Sequence, residues 1–379
     1  MTPPRRRWLL ALSLAAVAAG LAAAFWPRGA PPAVAAAPPP SEKRVTLAVS
    51  RPAPEEAEEM PEAVQRFLAA NVYPPSSGRL DPGDESLLRP NRRYEEFRPI
   101  RETLGDRGGA VSYELSADRY DLTGGDEAEV WLEARRGEAP LALAWVAGEV
   151  QREGRAGLEG DPVELHFAFD GERWEAELPL DEVADHYGFL VVTARFSYAE
   201  GREHRDTLRF FHTPEGHVPA SFTGRFLDYV RDGGLTVEVG LEVAVAGFYR
   251  LDANFYDASG APAAFAAWKG DLVEGDRMVP LRVYGKVLRD ADARAPYTLR
   301  ELRGYRFVEG AYPDRETIPA APYEWITGRY ALAEFTQEAW DSEHKRHMVE
   351  LMLQDEAAGI PVETPPLAGA AVAPEEPGS

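Results

Sequence analysis

The sequence contains no cysteine. Disulfides, thiolate catalysis, Cys-ligated zinc or iron–sulfur centres and lipid attachment through an N-terminal cysteine are all excluded. Lysine is scarce as well, four residues against 37 arginines, and asparagine occurs only at Asn71, Asn91 and Asn254. An arginine excess can signal anion recognition, and Arg89, Arg92, Arg93, Arg98, Arg101 and Arg107 cluster. Glu95, Glu96, Glu102 and Asp106 dilute that cluster, and the same bias runs through the whole chain, so composition accounts for it. Basic charge is in deficit overall: 41 Lys and Arg face 63 Asp and Glu, a formal charge of −22. A body this acidic repels phosphate backbones and anionic membrane surfaces, so no nucleic-acid partner is expected.

Catalytic signatures are missing too. There is no Gly-x-Ser-x-Gly elbow, Gly-rich phosphate loop, Gly-x-Gly-x-x-Gly or His-Glu-x-x-His. Gly285-Lys286 fails as a phosphate loop because Val287 replaces the Ser or Thr and Pro280 stands where the first Gly belongs. Ser342 and Lys345 match Ser-x-x-Lys, but Ser-Asp-Asn and Lys-Thr-Gly are absent, and Asp341 or Ser342 as a helix cap explains the same residues. His344 and His347 are three apart on the last predicted helix, near Glu343 and Glu350; two imidazoles there still need a third ligand from elsewhere. His204, His212 and His217 lie along a strand and its following turn, at spacings that put no two on one close face. Asp118, Asp121 and Asp126, or Asp290 and Asp292, offer oxygens for Ca²⁺, but without EF-hand spacing, and Asp in turns usually caps its own backbone. The expectation is no catalytic residue, no metal and no cofactor.

What is present is material for cores. Of 379 residues, 45% are apolar and 10% aromatic, enough for two or three domains. Residues 1–26 read as an export segment. Arg5, Arg6 and Arg7 precede the uncharged run Trp8–Trp26, about 28 Å of helix and close to the thickness of a bilayer core. Positive charge stays inside, so the rest should be periplasmic. Tryptophans at both ends suit a retained inner-membrane anchor; the many alanines and Ala33-Val34-Ala35 suit a cleaved signal peptide. Either way, the membrane is met through residues 8–26 only. Residues 27–54 form a Pro/Ala-rich linker.

Residues 55–110 should hold a short helix, Glu62 to Ala70 with Val64, Phe67 and Leu68 inward, then a proline-punctuated extended arm lying on a domain surface. Residues 111–217 carry strand signals: Val130, Leu132 and Ala134 alternate with Glu129, Trp131 and Glu133, and Leu165, Phe167 and Phe169 with His166 and Ala168. Asp170-Gly171 marks a turn into Trp174, Ala176 and Leu178. Residues 218–335 repeat the pattern. Leu235, Val237, Val239, Leu241, Val243 and Val245 occupy every odd position, Tyr249 to Phe255 follow, and Tyr323 to Phe335 should supply the last strand. A C-terminal helix is expected within 336–358 and a disordered tail over 359–379.

Several of these stretches carry a resemblance. Tyr120 to Val130 with its Gly124-Gly125-Asp126, Asp170-Gly171, Gly188 to Ala194, Gly247 to Leu251 and Ala295 to Leu299 share the grammar of bacterial Ig-like modules. With the arm segments Asn71 to Pro75 and Arg89 to Tyr94, the chain resembles an uncharacterised proteobacterial family of exported proteins with tandem Ig-like domains. The resemblance spans about residues 60–350. It implies a mainly β fold, two tandem Ig-like β-sandwiches with an extended N-terminal arm and a C-terminal helix. No catalytic residues come with it.

Aromatics are the remaining binding lead. Alternation places Tyr249 and Phe255 in the core, leaving Phe248, Tyr256 and Trp268 as rings that could stack on a sugar. On the last helix Trp340, His344, His347, Met348 and Leu351 share one face. Trp340 is therefore either an anchor docked on the second sandwich or part of a partner surface. The functional expectation is a non-enzymatic envelope protein presenting tandem Ig-like domains to an envelope protein or glycan; the alternative is a carboxylate-dependent, glycan-directed hydrolase, since acidic pairs need no local motif.

Overall fold

The computed structural model describes residues 60–92, 96–106, 108–124 and 126–360. The run Trp8–Trp26, the Pro/Ala linker, Arg93, Tyr94, Glu95, Arg107, Gly125 and the tail beyond residue 360 lie outside the described residues. Among the described residues no helix is long and apolar enough to cross a membrane.

The chain is mainly β. Its first elements are helix α1 (Glu62–Ala70), strand β1 (Ser77–Arg79) and helix α2 (Glu85–Leu88). Then come β2 (Arg98–Pro99), β3 (Val111–Ala117), β4 (Asp121–Thr123), β5 (Glu129–Arg136), β6 (Ala139–Pro140), β7 (Val146–Gly154), β8 (Gly157–Leu165), β9 (Ala168–Phe169), β10 (Trp174–Glu177), β11 (Gly188–Ala199) and β12 (Arg202–Thr213). The second half holds β13 (Ala220–Arg231), β14 (Gly234–Val243), β15 (Gly247–Tyr256), β16 (Pro262–Leu272), β17 (Gly275–Val283), helix α3 (Gly285–Asp290), β18 (Thr298–Phe307), β19 (Arg315–Ile318) and β20 (Trp325–Ile326). Helix α4 (Glu343–Ala357) closes the described chain.

These strands form four sheets around two cores. The order β2-β3-β5-β10-β9, with β6 beside β5, and the order β4-β12-β11-β7-β8 account for the first half. Their inward residues, among them Leu115, Val130, Leu132, Leu190, Val192, Phe196 and Phe210, make one buried cluster. The order β1-β16-β15-β18-β19, with β20 beside β18, and the three strands β13-β14-β17 share the other. Strand β4 runs parallel to β12; the other pairings are antiparallel.

Period-two alternation explains the second core. Leu235, Val237, Val239 and Leu241 on β14 are 0% exposed, and so are Tyr249, Leu251 and Phe255 on β15. Strand β14 is central in its sheet, with Val239 opposite Phe226 on one side and Val279 on the other. The alternation stops one turn early: the strand ends at Val243, and Val245 is 39% exposed in the turn to β15.

Three expectations need correction. The strand read from Tyr323 to Phe335 shrinks to Trp325–Ile326. Beyond it the Asp228 carboxylate takes the Gly328 N–H at 2.8 Å and the Tyr330 hydroxyl at 2.6 Å, so a side chain replaces the strand partner. Phe169, which alternation puts on one face with Leu165 and Phe167, sits instead on two-residue edge strand β9, 52% exposed and tilted against Trp174 at 5.7 Å. Finally, α4 buries Lys345 and Met352, with Met348 and Val349 partly buried, whereas His344, His347 and Leu351 are exposed. Its partner is α1, through Val64, Phe67 and Leu68, and not the second core. Alternation on a helix of mixed polarity fixed the spacing but not the face.

The arm does not stay with the half it precedes. Strand β1 adds to β16 in the second half, and β2 adds to β3 in the first. Ile100, 1% exposed, belongs to the first core, and Tyr73 packs against the second, so the arm contributes to both. Strand β14 gives a direct check on the facing of the second core. Leu241→Ala removes a fully buried side chain and is expected to cost about 2–5 kcal/mol, whereas exposed Glu242→Ala is expected to stay within about 0.5 kcal/mol. Urea unfolding of both variants measures this, and equal losses would contradict the assigned facing.

Candidate functional site

A cleft of about 860 Å³ opens at the waist, where the chain passes from the first half to the second. Three connections build it. Gly124, Asp126 and Glu127 come from the β4–β5 turn, Glu177 to Asp185 from the β10–β11 connection, and His212 and Pro214 to His217 from the end of β12 and the link to β13.

Local chemistry sets each connection. Asp126 closes its turn by accepting the Thr123 N–H at 2.7 Å and the Thr123 hydroxyl at 2.9 Å. Gly124 donates its N–H to Thr213 at 2.9 Å and packs so tightly on the link that a Cβ there would stand 2.6 Å from the Glu215 nitrogen. Only glycine lets these connections meet. At the other end of the register, Gly188 lies opposite His212 with φ of +136°, a region open to glycine, and a Cβ would crowd His186 and Pro313.

The wall carries acid, two histidines and no Lys or Arg. Asp126, Glu127, Glu177, Asp181, Glu182, Asp185 and Glu215 line the cleft; no Lys or Arg does. Arg152 reaches Asp185 at 2.9 Å. Glu127, Glu177, Asp181, Glu182 and Glu215 form no ion pair among the described residues and are exposed. Leu178, Pro179, Leu180 and Ala184 supply an apolar side.

His212 is the buried ionisable group of the cleft, 3% exposed. Its Nδ1 stands 2.6 Å from the His186 carbonyl, so the proton sits there and is donated to that oxygen. Nε2 has no hydrogen-bond partner among the described residues. Burial holds the imidazole below its ordinary 6.5, against the raising influence of the His186 carbonyl and Asp126 and together with the lowering influence of the His186 ring. The ring is neutral at pH 7, an acceptor at Nε2. His217 lies on the rim, stacked on Tyr187 at 5.0 Å and 8°.

The walls are braced across the two halves. Tyr187, its hydroxyl pushed up to about 12 by burial, donates to the Arg315 carbonyl. Arg209 forms a two-pronged bond to Glu153 at 2.7 and 2.8 Å, donates to the Tyr312 hydroxyl at 2.8 Å and covers the Phe189 ring at 3.5 Å. A smaller hollow of about 330 Å³ lies beside the cleft between β4 and the β18–β19 side, where Asn91, Arg119 and Arg303 mix with Asp121 and Glu301.

The aromatic candidates are scattered. Phe248 is 41% exposed, opposite Phe307 on the neighbouring strand. Tyr256 is 9% exposed, with the Arg300 guanidinium 4.8 Å from its ring centre. Trp268 pairs with inward Leu251 and packs against the second core. Trp340 is half-buried, its N–H bonded to the Val72 carbonyl at 2.9 Å. They do not form one platform.

The oxygen-rich turns are spoken for. Asp118 accepts the Glu129 N–H and pairs with Arg119, and Asp290 accepts the Tyr73 hydroxyl and Lys286. Among the described residues no three His, Asp or Glu converge on a metal position. Ser342 caps α4 by accepting the Lys345 N–H at 3.1 Å, and the Lys345 ammonium bonds the carbonyls of Asn71 and Trp340 at 2.6 and 2.7 Å. A lysine whose protons are so engaged is a clasp and not a base.

The cleft escaped sequence reasoning because its walls are connections 90 residues apart at the extremes, and only the strand register brings His212 beside them. The spacing of His212 and His217 along the chain carries no trace of it.

No family model matches the chain, and no curated protein matches its sequence. Solved structures offer distant likeness. A DUF4785 family protein from Legionella pneumophila is 17% identical, with a TM-score of 0.38, over 59% of this chain and 57% of that one. The chain thus spans little more than half of that protein's length. A DUF3823 family protein from Parabacteroides merdae is 14% identical over 48% of this chain and 87% of that one, TM-score 0.20. Titin domains A168–A170 are 9% identical over 62% and 67%, TM-score 0.20.

The depressed His212 pKa makes a signed prediction. The unfolded chain takes up the proton near pH 6.5, before the folded one does, so His212 favours the fold fully above that pH. Its contribution is lost as pH falls from about 6.5 through the lower folded value. Urea midpoints from pH 7.5 to 5 should fall for the native chain, and His212→Gln should remove part of that slope. Parallel slopes would contradict the buried neutral imidazole.

Proposed function

We propose that the chain is a non-enzymatic envelope protein, exported to the periplasm, whose two β cores act as tandem Ig-like sandwiches, with a binding cleft formed by connections of the first beside the link to the second. The observation that carries this reading is the waist cleft: it is walled by acid, free of Lys and Arg, and flanked by Tyr187 and Arg209, which bond Arg315 and Tyr312 of the second half. Proteins that bind through loops place them on a rigid scaffold in this way. Export rests on the basic n-region and Trp8–Trp26, with residues 8–26 as the inner-membrane anchor or a cleaved signal. The partner is an envelope protein or a glycan that tolerates, or is drawn to, a negative wall.

The hydrolase alternative asks for two carboxyl groups facing one another on a cleft floor, one of them shielded from water. Here the unpaired carboxylates stand exposed on the walls and the buried group is an imidazole. That arrangement supports binding over hydrolysis.

Two measurements test the reading together. A C-terminal alkaline phosphatase fusion to the full chain should be active in cells. A photo-cross-linker at exposed Gly216, on the cleft rim, should capture an envelope component that a cross-linker at exposed Asp161 does not. An inactive fusion, or glycoside hydrolysis lost in Glu177→Gln, would overturn it.

A further inference from the structure

Beside the waist cleft, and sharing only Asp126 with it, lies the smaller hollow of about 330 Å³ between the arm, β4 and the β18–β19 side. We propose that this hollow binds a small zwitterion, an α-amino acid or a dipeptide with methyl-sized side chains, its carboxylate on Arg303 and its ammonium toward Glu301. Neither site depends on the other.

Strand β18 builds the charged side. Its register sets Arg303 opposite Asp252 and Arg300 opposite Asn254, so Glu301 and Leu302 together stand against Ala253. That bulge lets Leu299 and Leu302 both enter the second core and leaves Glu301 outside at φ of +52°, in the left-handed region. Glu301 lines the hollow, is exposed and forms no ion pair among the described residues.

Arg303 is the anomaly. It is half-buried, and burial holds its guanidinium below the ordinary arginine value against the raising influence of Asp252, Glu301 and Asp121. One N–H, from Nη1, goes to the Glu301 carbonyl at 2.9 Å. Among the described residues no carboxylate pairs with it, because Arg250 already holds Asp252 through Nε and Nη2, each at 2.9 Å. A desolvated cation without a carboxylate partner is costly, and its planar fork of remaining N–H groups matches a carboxylate in two-pronged fashion.

The other charges of the lining are matched. Asp126 takes the Thr123 N–H and hydroxyl at 2.7 and 2.9 Å and lies 3.6 Å from Arg119, which also pairs with Asp118 at 2.9 Å. Asp121 is engaged as well. One cation, Arg303, and one anion, Glu301, are left to a ligand. A simple anion would meet Glu301 and a chain of net charge −22, and a simple cation would meet Arg303. A zwitterion satisfies both.

The apolar wall sets the size. Pro319, Ala320, Ala321 and Pro322 line the hollow, and the Ala321 N–H fastens them to β18 through the Leu302 carbonyl at 3.0 Å. Such a wall suits methyl groups, and about 330 Å³ stands at the lower end of small-ligand clefts.

Calorimetry of the purified full chain, in detergent at about 0.15 M salt, tests this with L-alanine and separately with L-alanyl-L-alanine. The expected result is saturable one-to-one binding of at least one probe, with the urea midpoint rising as that probe is added. The amide of the saturating probe lacks the carboxylate and its N-acetyl form lacks the ammonium; each should bind roughly tenfold more weakly. Arg303→Lys keeps a cation but loses the fork, and Glu301→Gln changes only an exposed group. Each should weaken binding roughly tenfold, while Arg329→Gln, exposed and outside the hollow, should leave it unchanged. Saturation by alanine identifies a free amino acid as the source, and saturation by the dipeptide alone identifies a peptide. Binding of neither probe, equal binding of the amide or the N-acetyl form, or unchanged affinity in Glu301→Gln or in a folded Arg303→Lys would each overturn the proposal.

Discussion

Backbone polar groups on an extended arm must find partners, and here those partners are divided between two cores. Residues 71–92 and 96–100 have too little regular structure to satisfy themselves. Ser76 gives its carbonyl to Ala267, and β1 pairs with β16 in the second half. Fifteen residues beyond Ser76, Asn91 accepts the N–H groups of Tyr120 and Asp121 at 2.8 and 2.6 Å and donates to the Asp121 carbonyl at 2.8 Å, fastening the arm to β4 in the first half. Asn254 holds the Leu87 carbonyl at 2.6 Å from the outer face of β15. The third asparagine, Asn71, bonds the Phe67 carbonyl at the end of α1 and gives its own carbonyl to Lys345. All three asparagines of the chain secure this one segment.

The waist follows from that tether. With the arm bridging both halves, the β4 turn is held beside the β18–β19 side, and the link after Thr213 borders the cleft. Tyr249, in the second core, donates its hydroxyl to the Pro219 carbonyl at 3.0 Å, so the link is gripped at its far end as well. Close approach at Gly124 and the positive φ of Gly188 then decide where the connections part, and the opening between them is the acid-lined cleft. An acidic wall of unpaired carboxylates is unfavourable by itself, which is why rigid connections must impose it.

Strands with strict alternation were legible in the sequence: the odd positions of Leu235 to Val243 and of Tyr249 to Phe255 face the core because period two admits one solution once the other face is polar. Helix α1 was legible for the same reason at period 3.6, with Val64 and Phe67 buried. The face of α4 was not, since Trp340 falls before the helix begins, His344, Met348 and Leu351 on one stripe compete with Lys345, Val349 and Met352 on the next, and only the position of α1 decides. Nor could composition show that a lysine would be the buried clasp, 7% exposed with its pKa lowered by burial. The cleft was the least legible part. His212 reads as one of several strand histidines until the register places it against Gly188 and Leu122.

The central claim is that the arm and the waist make the two cores one cooperative body. Native-state hydrogen exchange of the full chain in rising denaturant tests it most directly, comparing amides of Leu190 and Val192 in the first core with Val237 and Val239 in the second. The account predicts that both sets lose protection at the same denaturant concentration, and that Asn91→Ala separates them. Two well-spaced transitions in the native chain, with one core persisting after the other has opened, would contradict it.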